Sequence, residues 1–317
     1  MRIYHLILAV SLLLGSPLLI RAAETPARVV EPKTAVQDPL QQVEKVVEEE
    51  GGVPLKPVEI GHIGKFPITN SMLLTWIVAF GIIIFAQVAT RNPKQVPEGA
   101  QNFWEWMVES LHKFLENIIG HELVKKTFWF FATIFIFILF CNWAGLIPGV
   151  GTVGWGVKDA QGHFHLTEPF FRGANADLNM TFAMALIFFA CWIIWALQAN
   201  GIGGVFMHIF GAKGHTTGWL KILMIVVFAL VGVLEVVSIL FRPVSLSFRL
   251  YGNVYAGESM LEAMAKLVPS LAWLIPIPFY FLEIIVGLVQ ALVFMLLTAV
   301  FTLLITQHDE SHAKAHH

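Results

Sequence analysis

Arg249 stands in the run SLSFRLYGNVYAGE, with long apolar stretches on both sides of it. A guanidinium keeps its proton under ordinary conditions, so burial cannot be relieved by neutralisation. Placing it at bilayer depth costs roughly 3 kcal/mol or much more, depending on the reference scale. A charge held there at that cost points to a function. On a helix of about 100° per residue, Asn253 lies one turn beyond Arg249 and Ala256 two turns, while Glu235 and Arg242 return to nearly the same side from below. Gly252 and Ala256 on this polar stripe leave room for a second helix. Glu258 falls about half a turn away, with Tyr251 and Glu262 on its side. In the next apolar stretch Glu283 and Gln290 share one face, and Gly287, one turn from Glu283, leaves room beside it. Two polar faces on adjacent long helices make a hydrated path possible.

The elements that must position these groups are membrane helices. Hydrophobic residues make up 56% of the chain and charged ones 13%, and the mean hydropathy is +0.70, well outside soluble averages. Residues 71–90, 127–147 and 178–199 carry no formal charge and are long enough to cross a hydrocarbon core of roughly 30 Å as helices. Residues 219–266 and 268–306 are longer and hold the embedded charges. Unbroken, the first of these would measure about 70 Å, so it must tilt, kink, or both, with Pro243 as the natural kink. The fold class expected is all-α: a polytopic membrane protein with five crossing helices, the last two forming a long, strongly tilted hairpin.

Residues 1–23 have the order of a secretory signal peptide, with Arg2, an apolar core, then Arg21, Ala22 and Ala23; an uncleaved anchor helix is the alternative. Residues 24–65 are rich in Pro, Val and Glu and read as a flexible exported extension. With that extension outside, Arg91, Lys94, Lys113, Lys125, Lys126, Lys213 and Lys221 all fall on the cytoplasmic side, and the outer loop up to Asp177 keeps only Lys158 and Arg172. Residues 98–119 set Phe103, Trp104, Met107, Leu111 and Phe114 against Glu105, Glu109, His112, Lys113 and Glu116, the pattern of an amphipathic helix lying in the cytoplasmic interface or packed on a cytosolic partner. Residues 307–317 form a cytoplasmic tail.

Other features carry less. His163 and His165 have metal-like spacing without a third ligand nearby, the terminal histidines read as a solvated tail, and Cys141 and Cys191 sit inside apolar spans where packing is the default, so no metal or cofactor is expected. No phosphate loop of the form GxxxxGK[ST] occurs, and a net charge of −2 gives no reason to expect nucleic-acid binding. A stand-alone transporter would bury charges in broken helices too, but usually with an internal repeat, and the first half has no counterpart to SLSFRLYGNVYAGE.

The segment FRLYGNVYAGE resembles the signature of subunit a of the F-type ATP synthase, whose pattern runs L-R-L-F/Y-G-N-M/V-Y-A-G-E, with Arg249 on that family's essential arginine. FPITNS, ADLNMT (Ala176 to Thr181), NGIGG (Asn200 to Gly204), RPVSLSFRL and VQALVFMLLTAVF follow in matching order, so the resemblance covers about residues 66–306. It implies a non-catalytic stator subunit in a bacterial inner membrane, N-terminus periplasmic and C-terminus cytoplasmic. Its partners would be a ring of c subunits, b-type peripheral stalk subunits and the remaining ATP synthase. Protons would pass by two offset half-channels, separated by Arg249.

By the same resemblance Glu258 and Glu283 match sites lining the periplasmic access path, and Gln290 and Asn253 match polar residues near the ring. Several relatives carry a carboxylate and a histidine where this sequence has Glu at both positions, so a shared proton becomes a reasonable relay state. Glu235 matches an acid that lines the cytoplasmic exit or only offsets Arg242 or Arg249. Asp177 and Asn179 cap the third helix or border the access path.

Overall fold

The computed structural model describes residues 56–63, 66–158, 164–210, 219–267 and 269–306. The expected signal peptide, most of the extension, the tail, His163 and Lys213 lie outside the described residues. The extension does not run to residue 65 without structure. Strand β1 (Glu59–Ile63) pairs antiparallel with β2 (Phe66–Thr69), Ile63 opposite Phe66 and Glu59 opposite Thr69. Pairing satisfies backbone groups that would otherwise arrive unbonded at the mouth of a helix bundle.

Helix α1 (Asn70–Thr90) starts where the Thr69 side chain accepts from the Met72 amide. Helix α2 (Ala100–Ile119) turns Met107, Leu111, Leu115 and Ile119 inward at helical spacing. On its outer side the Lys113 ammonium, 2.6 Å from Glu109, holds that carboxyl below its ordinary range. Helix α3 (His121–Gly145) begins well before the expected position 127: the polar turn HELVKK joins the helix because Val124 and Thr127 are fully buried in it.

The connection between α3 and the next helix contains strand β3 (Pro148–Gly151) and an antiparallel pair of β4 (Gly154–Lys158) with β5 (Phe164–Pro169). A single 3-10 turn (Ala174–Ala176) leads into α4 (Leu178–Phe210), longer than the expected 178–199 and broken at Gly201, whose φ of 67° is a left-handed conformation open to glycine. Helix α5 (Trp219–Leu267) runs for 49 residues, about 74 Å. It continues through Pro243, which withdraws one amide from the hydrogen-bond ladder. The last helix does not start at 268. A 3-10 turn (Pro269–Leu271) and further turns intervene, and α6 (Ile277–Thr306) begins directly after Pro276.

Five of these helices, all but α2, are long and apolar enough to cross a membrane. Helix α3 is the most enclosed, 56% of its span being buried against 17% for α1 and for α5, so α3 is the hub and α1 and α5 keep open faces. Phe131, Ile138, Phe188, Leu250 and Met295 form the centre of the core. Polar threads tie it together. Asn142 Nδ2 donates to the Gly287 carbonyl at 2.9 Å, and Asn175 Nδ2 donates to Asn142 Oδ1 at 2.7 Å. Trp192 donates to the Phe301 carbonyl, Asn200 to the Ile305 carbonyl, and Thr181 shares a hydrogen bond with Ser247.

A Cβ on Gly287 would lie 3.1 Å from Asn142 Cβ, so the space beside this glycine is taken by α3 rather than left open. Replacing Asn142 by Leu should therefore cost about 1 kcal/mol and lower the melting temperature of the detergent-solubilised protein. An unchanged melting curve would show that the bond to Gly287 carries no stability.

Candidate functional site

The charges expected to do chemistry lie along α5 and α6, and the bundle treats each differently. Arg249 is exposed on α5 in line with Ser245, Gly252 and Ala256, all likewise uncovered, while Leu246 and Leu250 beside it are buried against the bundle. Among the described residues no carboxylate or hydrogen-bond acceptor partners Arg249. It shares a narrow cleft with Gln290, Val293 and Phe294 of α6. Asn253, one turn on, is half-buried.

Toward the start of α5, Arg242 lies over the Phe301 ring at 4.4 Å and the Trp192 ring at 5.5 Å, a cation held by aromatic faces. Glu235, two turns earlier, is half-buried and acts on Arg242 through its charge. Toward the end of α5, Glu283 is 7% exposed and presses its carboxylate onto the backbone of Gly257; any Cβ at Gly257 would collide with it. Glu258, next in the chain, turns Oε2 inward toward Arg172 Nε at 3.8 Å. The two glutamates thus meet different neighbours.

Asp177 precedes α4 and is 4% exposed. Its Oδ1 accepts from the Asn179 amide at 2.9 Å, and its Oδ2 from the Ser71 hydroxyl at 2.6 Å. Asp177 is therefore a helix cap that also clamps α1 to α4, whereas the Asn179 residue is exposed. Asn70 joins the same cluster, donating to the Pro169 carbonyl at 3.2 Å. Two segments matched in the sequence only as ordered motifs, FPITNS and ADLNMT, are here one hydrogen-bonded joint.

The residue that sequence reasoning missed is Arg172. The loop-cation count puts it outside, yet it is 4% exposed and faces Glu258 of α5. The sequence signal that could have found it is its setting, FFRGANAD: an arginine among small residues directly before a capped helix is poorly suited to a solvated loop.

Such a bundle of long apolar helices, with charges lined along two that pack together, is that of a multi-pass membrane protein. A family model described as ATP synthase A chain matches residues 72–302. The chain is 32% identical over 270 residues to ATP synthase subunit a of Gloeobacter violaceus, covering 83% of this chain and 97% of that one. It is 30% identical to the subunits a of Moorella thermoacetica (78% of this chain, 95% of the relative) and Helicobacter hepaticus (75% and 90%). The chain belongs to the ATP synthase A chain family.

The Gly257 contact yields a test. Gly257→Ala should displace the Glu283 carboxylate and lower the melting temperature of the detergent-solubilised protein, and shortening the acid in Gly257→Ala/Glu283→Asp should restore part of it. An unchanged melting curve in Gly257→Ala would show that this close approach carries no stability.

Proposed function

We propose that this chain is the non-catalytic, proton-translocating stator subunit of an F-type ATP synthase in a bacterial inner membrane. It works against a ring of c subunits, is held by b-type stalk subunits, and leaves ATP chemistry to other subunits. The observation that carries the reading is the uncovered strip of α5, in which Arg249 stands between the small residues Ser245, Gly252 and Ala256 with no acceptor among the described residues to pair it. Small flanking residues let a partner helix come close, and a permanent cation there suits a partner acid at the same depth.

A fixed cation favours the ionised form of a carboxylic acid brought beside it. A ring site approaching Arg249 would therefore release its proton into a cytoplasmic exit and, once past, take one up from the periplasmic access path before facing lipid. The same charge repels hydronium and keeps the two half-channels from joining into a leak. Glu258 and Glu283 would line the access path with Asp177 and Asn179 at its border, Glu235 would serve the exit, and Gln290 and Asn253 would set the polar surroundings of Arg249. Lys would serve poorly at 249, because a buried ammonium gives up its proton. Each proton delivers about 2.3 kcal/mol per 100 mV.

Arg249→Ala should abolish gradient-driven ATP synthesis in membrane vesicles while the complex still assembles; normal coupled synthesis would refute the role. Glu258→Gln and Glu283→Gln should each reduce proton flux, and the double change should reduce it further. Undiminished flux in the double variant would leave the pair structural.

A further inference from the structure

Arg172 reaches the interior because its loop is pressed against the end of α3. A Cβ added at Gly145 would lie 3.1 Å from Gly173 Cα, and Asn175 anchors the loop by donating to Asn142 and to the Ile138 carbonyl. The guanidinium ends up buried, yet Nε, Nη1 and Nη2 have no hydrogen-bond partner among the described residues, and neither has Glu258 Oε2. A guanidinium that serves only to brace a fold closes on its carboxylate as a fork at about 2.8 Å, with its remaining donors bonded. Here the approach is 3.8 Å and unforked. At that distance attraction persists while Glu258 Oε2 stays without a hydrogen bond among the described residues.

The surroundings of Glu258 are otherwise acidic or phenolic. Glu262 acts on it along α5, Tyr251 lies within the fields of Arg172, Asp177 and Glu258 together, Tyr255 stacks on Tyr251, and Glu283 of α6 abuts the preceding Gly257. Arg172 is the cation that faces this group. We propose that Arg172 is a positioning residue of the access path, holding the Glu258 carboxylate inward by charge alone and so leaving Oε2 free to take up and pass on a proton. The inference rests on the reading of Glu258 as a relay.

The test is passive proton flux through the complete membrane sector in proteoliposomes, normalised to assembled complex, for Arg172→Gln, Arg172→Lys, Glu258→Gln and Arg172→Gln/Glu258→Gln. Arg172→Gln should lower flux about tenfold, equivalent to about 1.4 kcal/mol, Arg172→Lys should recover most of it, and the double variant should match Glu258→Gln alone. Where Gln at 172 prevents assembly, Arg172→Met fills the same buried space with apolar atoms and is judged by the same criteria. Wild-type flux in an assembled Arg172→Gln or Arg172→Met overturns the proposal, as does a double variant whose losses multiply. Wild-type flux in Glu258→Gln instead overturns the relay reading itself, so the two failures are distinct.

Discussion

Hydrocarbon gives a charge nothing to bond to, and most of this bundle can be understood as the consequence. Arg242 is laid on two aromatic rings with Glu235 in its field. Glu283 is sealed against a glycine backbone. Arg172 and Glu258 face each other. Arg249 alone among these stands outward, on the α5 face flanked by small residues. Of these charges Arg249 alone is left without a local answer among the described residues, and on the proposed function that answer is supplied by another chain.

These answers depend on close approach rather than on strong individual bonds. Glycines at 257 and 287 let α5, α6 and α3 come within backbone range, and Asn142 and Asn175 fill the resulting gap with hydrogen bonds rather than cavities. The joint of Ser71 with Asp177 fixes the start of α1 to the start of α4. One end of the bundle is thereby braced around Glu258 and Glu283, while near the other the Trp192, Asn200 and Arg242 contacts hold α4 and α5 to the end of α6.

The five spans were legible because membrane helices announce themselves by length and composition, and the Arg249 stripe was legible because its period is that of a single helix. Less visible was whatever tertiary contact decides. Residues 121–126 read as a charged loop, yet they are helical because Val124 is buried. The expected last helix began at 268, yet Pro269 and Pro276 hold residues 269–276 in turns. Gly287 read as open space that Asn142 in fact occupies. Arg172 was assigned to the exterior by counting loop cations, a rule that assumes loops stay in water. The local setting FFRGANAD hints at its burial, but what fixes it is Gly145 against Gly173 and Asn175 on Ile138, contacts made across long sequence separations.

The most direct measurement of the central claim is the position of the Arg249 guanidinium in a structure of the assembled complex. In that complex the uncovered α5 strip should pack on a helix of another subunit, with that subunit's ionisable carboxylate passing within ion-pair reach of Arg249 at matching depth. A complex in which Arg249 faces lipid, or pairs permanently with a group of its own chain, would contradict it.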